Sequence, residues 1–214
     1  WAPPQWLERM AGAAERYAAD GVLGPVIAPL PDTAPAWLRR GGFYDRNRHA
    51  TGTPVPRNEL RTSNLLLHRP PVDAAGIHFD PVFGKTGGED SDFLSRLAGT
   101  GMSFVWCDEA EVVEPVPASR QNLRWLRMRA FRGGQNYAQN KLNGRFGEVG
   151  AAHKLAFLIR SVIALCVCFV AAALLLPFSR TRSAQWLCKG YAQAGKLAAF
   201  SAYRYEEYAP GSGS

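Results

Sequence analysis

The sequence predicts an α/β fold followed by a transmembrane helix and an interfacial amphipathic helix, and three observations predict it. Between residues 22 and 114 short β-type runs alternate with helical ones, the pattern of a sheet with helices packed on it. Ser161 to Phe178 carries no charged side chain and is dominated by Val, Ile, Leu, Ala, Cys and Phe. From Ser183 to Tyr205 apolar and polar residues alternate at helical spacing. The 214 residues, 47% hydrophobic and 20% charged, are enough for one ordinary domain and too apolar for intrinsic disorder.

Taken in order, Trp1-Ala-Pro-Pro-Gln-Trp-Leu-Glu-Arg-Met10 reads as the start of a helix with prolines in its first turn, ending near Asp20-Gly21. The chain opens on Trp and is read as an internal fragment, so the lack of a signal peptide at this end says nothing about the parent. Val22 to Ala28 is expected as one short buried strand. Pro29 to Leu60 is a long Pro-, Gly- and Arg-rich passage of the kind that forms functional loops or lids. Thr62 to His68 reads as a strand, Val72 to Gly76 as a helical turn, Asp92 to Leu97 as a helix, and Ser103 to Cys107 and Ala110 to Glu114 as short strands. A basic helix is expected from Ser119 to roughly Asn140. The expected boundaries are 1–145 for the α/β part, 154–178 for the membrane span, 183–205 for the interfacial helix and 206–214 for a flexible tail.

With Leu155 to Ile159 ahead of it, interrupted by Arg160, the apolar run exceeds the ~20 residues that cross ~30 Å of hydrocarbon. The alternative, a buried core helix, usually retains a polar stripe at this length. Lys154 and Arg160 lie before the run and Arg180, Arg182 and Lys189 after it, so the positive-inside rule gives no clean orientation. Trp186, Leu187, Tyr191, Leu197, Phe200 and Tyr203, relieved by Lys189, Lys196 and Arg204, suit a helix in the headgroup layer. The net charge of +7 is unevenly placed: 11 basic and 15 acidic side chains precede Ser119, and 14 basic and 3 acidic follow. The second half therefore faces an anion, either phospholipid or a phosphorylated substrate. Nucleic acid is set aside because the positive charge surrounds the apolar run and no reading motif accompanies it. Cys107, Cys166, Cys168 and Cys188 form neither a zinc spacing nor a disulfide scaffold, which fits a reducing, cytoplasmic setting.

Two constellations carry chemistry. Thr86-Gly-Gly-Glu-Asp90, followed by Ser91 and Asp92, lies at the mouth of a helix. Gly87 and Gly88 let backbone approach a ligand, and acids in a first turn are favoured by the helix dipole. A carboxylate held there can act as general base toward a sugar hydroxyl. The same residues also suit an ordinary helix N-terminus. The second constellation, Gln121-Asn-Leu-Arg-Trp125, has the spacing that puts Gln121, Arg124 and Trp125 on one helical face. A guanidinium fork takes phosphate oxygens while an indole stacks on a pyranose. The plainer alternative is a juxtamembrane basic helix, since Arg120, Arg127, Arg129 and Arg132 cluster here.

In this order and spacing the two constellations resemble the second half of a family 2 glycosyltransferase with a GT-A (Rossmann-like) fold, in the bacterial exopolysaccharide, succinoglycan-type branch. The resemblance also takes in the Pro-Pro-x-Trp-Leu helix, Gly24-Pro-Val-Ile27, Ser63-Asn-Leu-Leu-Leu-His-Arg69, Phe79-Asp-Pro81, the apolar segment and Tyr205-Glu-Glu-Tyr208. It implies Asp90 as the catalytic base, with Gly87, Gly88, Glu89, Gln121, Arg124 and Trp125 binding substrate. It implies transfer of a hexose, with inversion, from a nucleotide-sugar such as a UDP-sugar to a lipid-linked saccharide in exopolysaccharide synthesis. The implied partners are that donor, that acceptor and membrane phospholipid. The implied location is the bacterial inner membrane, with the soluble part on the cytoplasmic face. The family holds a divalent metal, Mg or Mn, through an N-terminal half ending in Asp-x-Asp. The chain begins beyond that motif, so the resemblance implies no metal ligand here and a fragment inactive alone. Asp90-Ser-Asp92 spells the motif but lies in the acceptor-side element and is read as coincidence. The rival reading is a noncatalytic module that binds anionic lipid through its basic helix, indifferent to Asp90 and Trp125.

Overall fold

The prolines near the N-terminus precede the first helix rather than open it. Helix α1 spans Trp6–Arg16, and Trp6 N–H bonds the Pro3 carbonyl at 3.0 Å in the turn before it. It stops short of the expected Asp20 because Ala18 takes a left-handed conformation, φ 47°, which a continuing helix does not allow. The computed structural model describes residues 1–84, 87–145, 150–201 and 203. Thr86, the Tyr205-Glu-Glu-Tyr208 stretch, the end of the expected 183–205 helix and the expected 206–214 tail lie outside the described residues.

The strand expected over Val22 to Ala28 is two strands, β1 (Gly21–Leu23) and β2 (Val26–Ile27). Pro25, which has no N–H to donate, sits at the break. At Gly24 an added Cβ would lie 2.6 Å from both the Ala110 carbonyl and Asn64 Nδ2. β1 is the centre of a three-stranded sheet. It runs antiparallel to β3 (Leu65–Leu67), with Val22 opposite Leu66, and parallel to β4 (Phe104–Trp106), with Val22 opposite Val105. β2 pairs in parallel with β5 (Val112–Val113). Residues 52–55 bond along the far side of β4: Gly52 N–H to the Trp106 carbonyl at 2.8 Å, and Val55 N–H to that of Phe104 at 2.9 Å.

Alternation along β4 sorts the core into two layers, as a pleated strand requires. Phe104 and Trp106, with Leu23, pack against Phe93, Leu94 and Leu97 of α4 (Glu89–Gly99). Val105 and Cys107, with Val22, pack against Met10 and Ala13 of α1. A helix on each sheet face is the α/β layering that the alternating pattern predicts. Between β3 and α4 lies the short helix α3 (Arg69–Ala75), which Gly76 ends in a left-handed conformation.

The chain divides into two units, and the division does not follow the expected 1–145 boundary. One unit takes Trp1–Pro29 and Asp45–Pro115, and the other Leu30–Tyr44 with Val116–Ser212. The passage expected as one long loop is therefore shared. Residues 30–44 carry a short helix, α2 (Ala36–Arg39), and are tied to the helices of the second unit by Thr181 Oγ1 to the Trp37 carbonyl and Gln185 Nε2 to that of Gly41.

The second unit is helical: α5 (Leu123–Leu142), α6 (Ala151–Leu175) and α7 (Arg180–Ala198). α7 packs along both α5 and α6. The approach to α5 is made backbone to backbone, because a Cβ on Gly134 would fall 2.0 Å from the Ala192 carbonyl oxygen and one on Gly195 would fall 1.9 Å from that of Phe131. α6, at 25 residues, is about 37 Å long at 1.5 Å per residue. Among the described residues it is the one helix long and apolar enough to cross a membrane, and 17% of its apolar window is buried. Leu155, Ile159, Ile163, Val167, Val170 and Leu174 lie exposed along it. The buried Ser161, Cys168 and Ala172 include the contact side toward α7, where Ser183 Oγ donates to the Ala172 carbonyl at 2.8 Å. Pro177 follows the helix, and Ser179 caps α7 by accepting from Arg182 N–H.

Candidate functional site

Asp90 lies in the first turn of α4, together with Glu89 and Asp92. The helix can start there because Gly88 is its N-cap at φ 98° and Gly87 precedes it at φ 71°, conformations that L side chains resist. Gly88 has no side chain with which to cap this end. Negative charge in the first turn is favoured by the helix dipole.

The three acids have different surroundings. Asp92 is buried and accepts from Arg96 Nε at 2.8 Å, while Arg96 also donates to the His78 carbonyl at 2.6 Å. Glu89 has one carboxylate oxygen buried without a hydrogen-bond donor. Asp90, half-buried, accepts from Thr62 Oγ1 at 2.5 Å. That bond spans 28 residues of sequence and orients one oxygen of the carboxylate. A carboxylate oriented by a hydroxyl at a helix N-terminus can receive a proton from a second hydroxyl brought to it. Asp90 and Asp92 thus differ: Asp92 is paired with Arg96, and Asp90 accepts from Thr62. Among the described residues no group of three His, Cys, Asp or Glu side chains is placed to hold a metal ion, so this chain offers no described donor set that fits one.

Thr62 reaches Asp90 because its neighbour Asn64 is fixed. The buried Asn64 donates from Nδ2 to the carbonyls of Pro25 and Ala110, at 2.9 and 2.8 Å, and accepts from Trp6 Nε1 at 2.8 Å. One amide thereby joins α1, the β1–β2 break and the turn before β5 to the start of β3. Arg61, on the other side of Thr62, lies over the Trp106 ring at 5.5 Å. His49 meets the same ring edge-on, also at 5.5 Å, and its Nε2 lies 2.8 Å from Glu59 Oε2. Burial pushes the Glu59 carboxyl up, but hydrogen bonds from His49 and Asn47 leave it below its ordinary value. A cleft of about 800 Å³ between α1 and residues 107–111 is also charged, lined in part by Arg9, Arg16, Arg48, Asp108 and Glu111. There Arg48 is already neutralised by Asp108 at 2.9 Å and Glu111 at 2.7 Å.

Gln121, Arg124 and Trp125 lie in the second unit, and they do not share a helical face as their spacing predicts. α5 begins at Leu123, and its N-cap is Asn122, whose side chain accepts from Trp125 N–H at 2.8 Å. Asn is among the strongest N-caps, and it holds non-helical backbone dihedrals. Gln121 therefore sits before the helix, at φ −86° and ψ 46°, and donates from Nε2 to the Val116 carbonyl at 2.7 Å. Arg124 and Trp125 are in the first turn. Arg124 is exposed. Trp125 stacks on Tyr44, with centroids 5.9 Å apart and planes at 21°, and the guanidinium groups of Arg120 and Arg129 lie 5.6 and 5.4 Å from its centroid. Tyr44 is itself anchored by donating to the Arg120 carbonyl at 2.7 Å, and burial raises its pKa. The Cys188 thiol on α7 has its pKa pushed up to about 11 by burial.

Sequence reasoning missed Thr62, Arg61, Asn64 and Tyr44. Thr62, Arg61 and Asn64 are strand-flanking residues with no local signal of their partners. Tyr44 lies in a passage read as loop.

The chain is 39% identical over 137 residues to the succinoglycan biosynthesis protein ExoM of Rhizobium meliloti, a match covering 63% of this chain and 43% of that protein. The chain thus spans less than half the length of the curated relative it matches. No family model and no solved structure matches it.

Proposed function

We propose that this chain is the acceptor-side part of a membrane-anchored, inverting glycosyltransferase of exopolysaccharide synthesis, with a family 2, GT-A type catalytic domain. The observation that carries the reading is Asp90, a carboxylate at a glycine-opened helix N-terminus, oriented by Thr62 at 2.5 Å and set in a chain 39% identical to a succinoglycan biosynthesis protein. In this reading Asp90 takes the proton of an acceptor hydroxyl. The hydroxyl oxygen forms a bond to the anomeric carbon of a UDP-hexose as the bond from that carbon to the diphosphate oxygen breaks. The diphosphate leaves with the electron pair, and the configuration inverts. The exposed Arg124 is assigned to phosphate oxygens, and Gln121 and Trp125 to the shape of the substrate site. The acceptor is a saccharide on a lipid carrier, to which the exposed apolar face of α6 is suited. α6 anchors the protein in the bacterial inner membrane with the soluble part on the cytoplasmic face, and the exposed Lys154 in its first turn faces phospholipid. A divalent metal, where the family uses one, is held by residues outside this chain.

The test is Asp90→Asn in the full-length protein, assayed in membranes for hexose transfer from labelled UDP-sugar to lipid-extractable product. Loss of a positioned general base lowers the rate on the order of 100- to 10,000-fold, with UDP-sugar binding retained. Transfer at the wild-type rate removes Asp90 from the role. Salt-sensitive liposome binding with no detectable transfer in the wild type would favour the noncatalytic lipid-binding module instead.

A further inference from the structure

The first unit contains a cation that its own residues leave unneutralised. Arg61 is half-buried, and its Nε and one terminal nitrogen are both buried without a hydrogen-bond acceptor. Burial lowers its pKa, and the charge of Arg46 lowers it further, against a smaller opposing pull from Glu59. Glu59 is already occupied by His49 and Asn47. Arg46, also half-buried, bonds a neutral group, the Ser63 hydroxyl, at 2.6 Å. Among the described residues neither arginine is in an ion pair, whereas Arg48, Arg69 and Arg96 of the same unit each have a carboxylate.

A desolvated guanidinium without an acceptor is costly, and a second guanidinium within Coulomb range adds to the cost. Packing on Trp106 offsets part of this through the ring face, but an aromatic face does not satisfy N–H donors. A multiply charged oxyanion accepting from both arginines would satisfy those donors and remove the mutual repulsion.

We infer that Arg46 and Arg61 form a binding site for a phosphate-bearing ligand beside Asp90. The backbone of Arg61 directly precedes that of Thr62, whose hydroxyl holds Asp90. The site stands on the two arginines alone, while the choice of ligand rests on the glycosyltransferase reading. That reading offers two sources of the same chemistry, the diphosphate of the nucleotide-sugar and the phosphate of the lipid carrier.

The experiment measures binding of inorganic pyrophosphate, UDP and a short-chain isoprenyl phosphate to the full chain in detergent by calorimetry. The proteins compared are wild type, Arg46→Gln, Arg61→Gln and, as a charge-matched control, Arg69→Gln, whose side chain is exposed and paired with Asp73. The expected result is saturable pyrophosphate binding, weakened at least about tenfold in each of the first two variants and unchanged in the control. Tighter UDP binding assigns the site to the donor, and tighter isoprenyl phosphate binding assigns it to the carrier. Should Arg61→Gln fail to fold for want of its stack on Trp106, Arg46→Gln alone carries the test. Equal affinity in wild type and Arg46→Gln, or equal weakening in Arg69→Gln, overturns the site. The readout does not depend on turnover. Binding lost in these variants, with no hexose transfer by the wild-type full-length protein, keeps the site and removes the reading; transfer by the wild type with binding unchanged in both variants removes the site alone.

Discussion

The two units hold their residues by opposite means. In the first, side chains distant in sequence are joined by buried or half-buried polar bonds: Thr62 to Asp90, and Asn64 to Trp6, Pro25 and Ala110. In the second, helices meet at glycines, and aromatic rings stack with guanidinium groups, as at Gly134, Gly195 and the Tyr44–Trp125–Arg129 cluster. Failure should follow the same division. A unit built on buried polar bonds is hurt by orphaning a partner, and one built on close backbone approach is hurt by added volume.

Asn64→Ala should have the largest effect on stability. It leaves the Trp6 indole N–H and the Ala110 carbonyl without this partner, while the Pro25 carbonyl keeps Val112 N–H, and opens a void, for a loss of about 2–6 kcal/mol at roughly 1–3 kcal/mol per orphaned group. Hydrogen exchange of the detergent-solubilised chain should show protection lost in β1, β3 and β4 while α5 and α7 keep theirs. Uniform loss in both units would break the comparison. Gly195→Val should act the other way at about 2–3 kcal/mol, because its Cβ would fall 1.9 Å from the Phe131 carbonyl oxygen and α5 and α7 would have to separate. Protection should then fall in those two helices and hold in the sheet. If Gly195→Val is as stable as wild type, the close approach is not what fixes the helices.

The same division explains what the sequence allowed to be read. The apolar run, the basic helix and the glycine-opened acidic turn are local patterns, and each becomes an element close to its expected place: α6, α5 and the start of α4. Expectations failed where a short-range competitor overrode a period. Asn122 caps α5 and leaves Gln121 outside it, Pro25 divides one strand into two, and Ala18 ends α1 early. The polar bonds of the first unit were unreadable for another reason. Thr62 and Asp90 are 28 residues apart, Asn64 and Trp6 are 58 apart, and neither pair carries a periodicity. The candidate base was therefore legible as a residue type at a helix mouth, while the hydroxyl that orients it was not.

Acidification offers the finest cut between the units. Glu59, in the first, has its carboxyl held below the ordinary value of 4.5 by His49 and Asn47 despite the upward push of burial. As pH falls the unfolded chain therefore binds its proton before the folded one does, so the stabilisation is complete above about pH 4.5 and drains away as pH falls through the depressed value. The side chains of Glu59 and His49 are 19% and 23% exposed, and a partly solvated pair of this kind contributes less than about 1 kcal/mol. The described residues of the second unit include a single carboxylate, Asp32, which is fully exposed beside Arg39, so acid should loosen the first unit and leave the second nearly untouched. Limited proteolysis of wild type and Glu59→Gln at pH 6 and pH 4 reads this directly. At pH 6 the variant should be cleaved faster within residues 45–115, and at pH 4 the two proteins should converge. A gap that stays constant with pH would show that Glu59 acts through packing rather than charge.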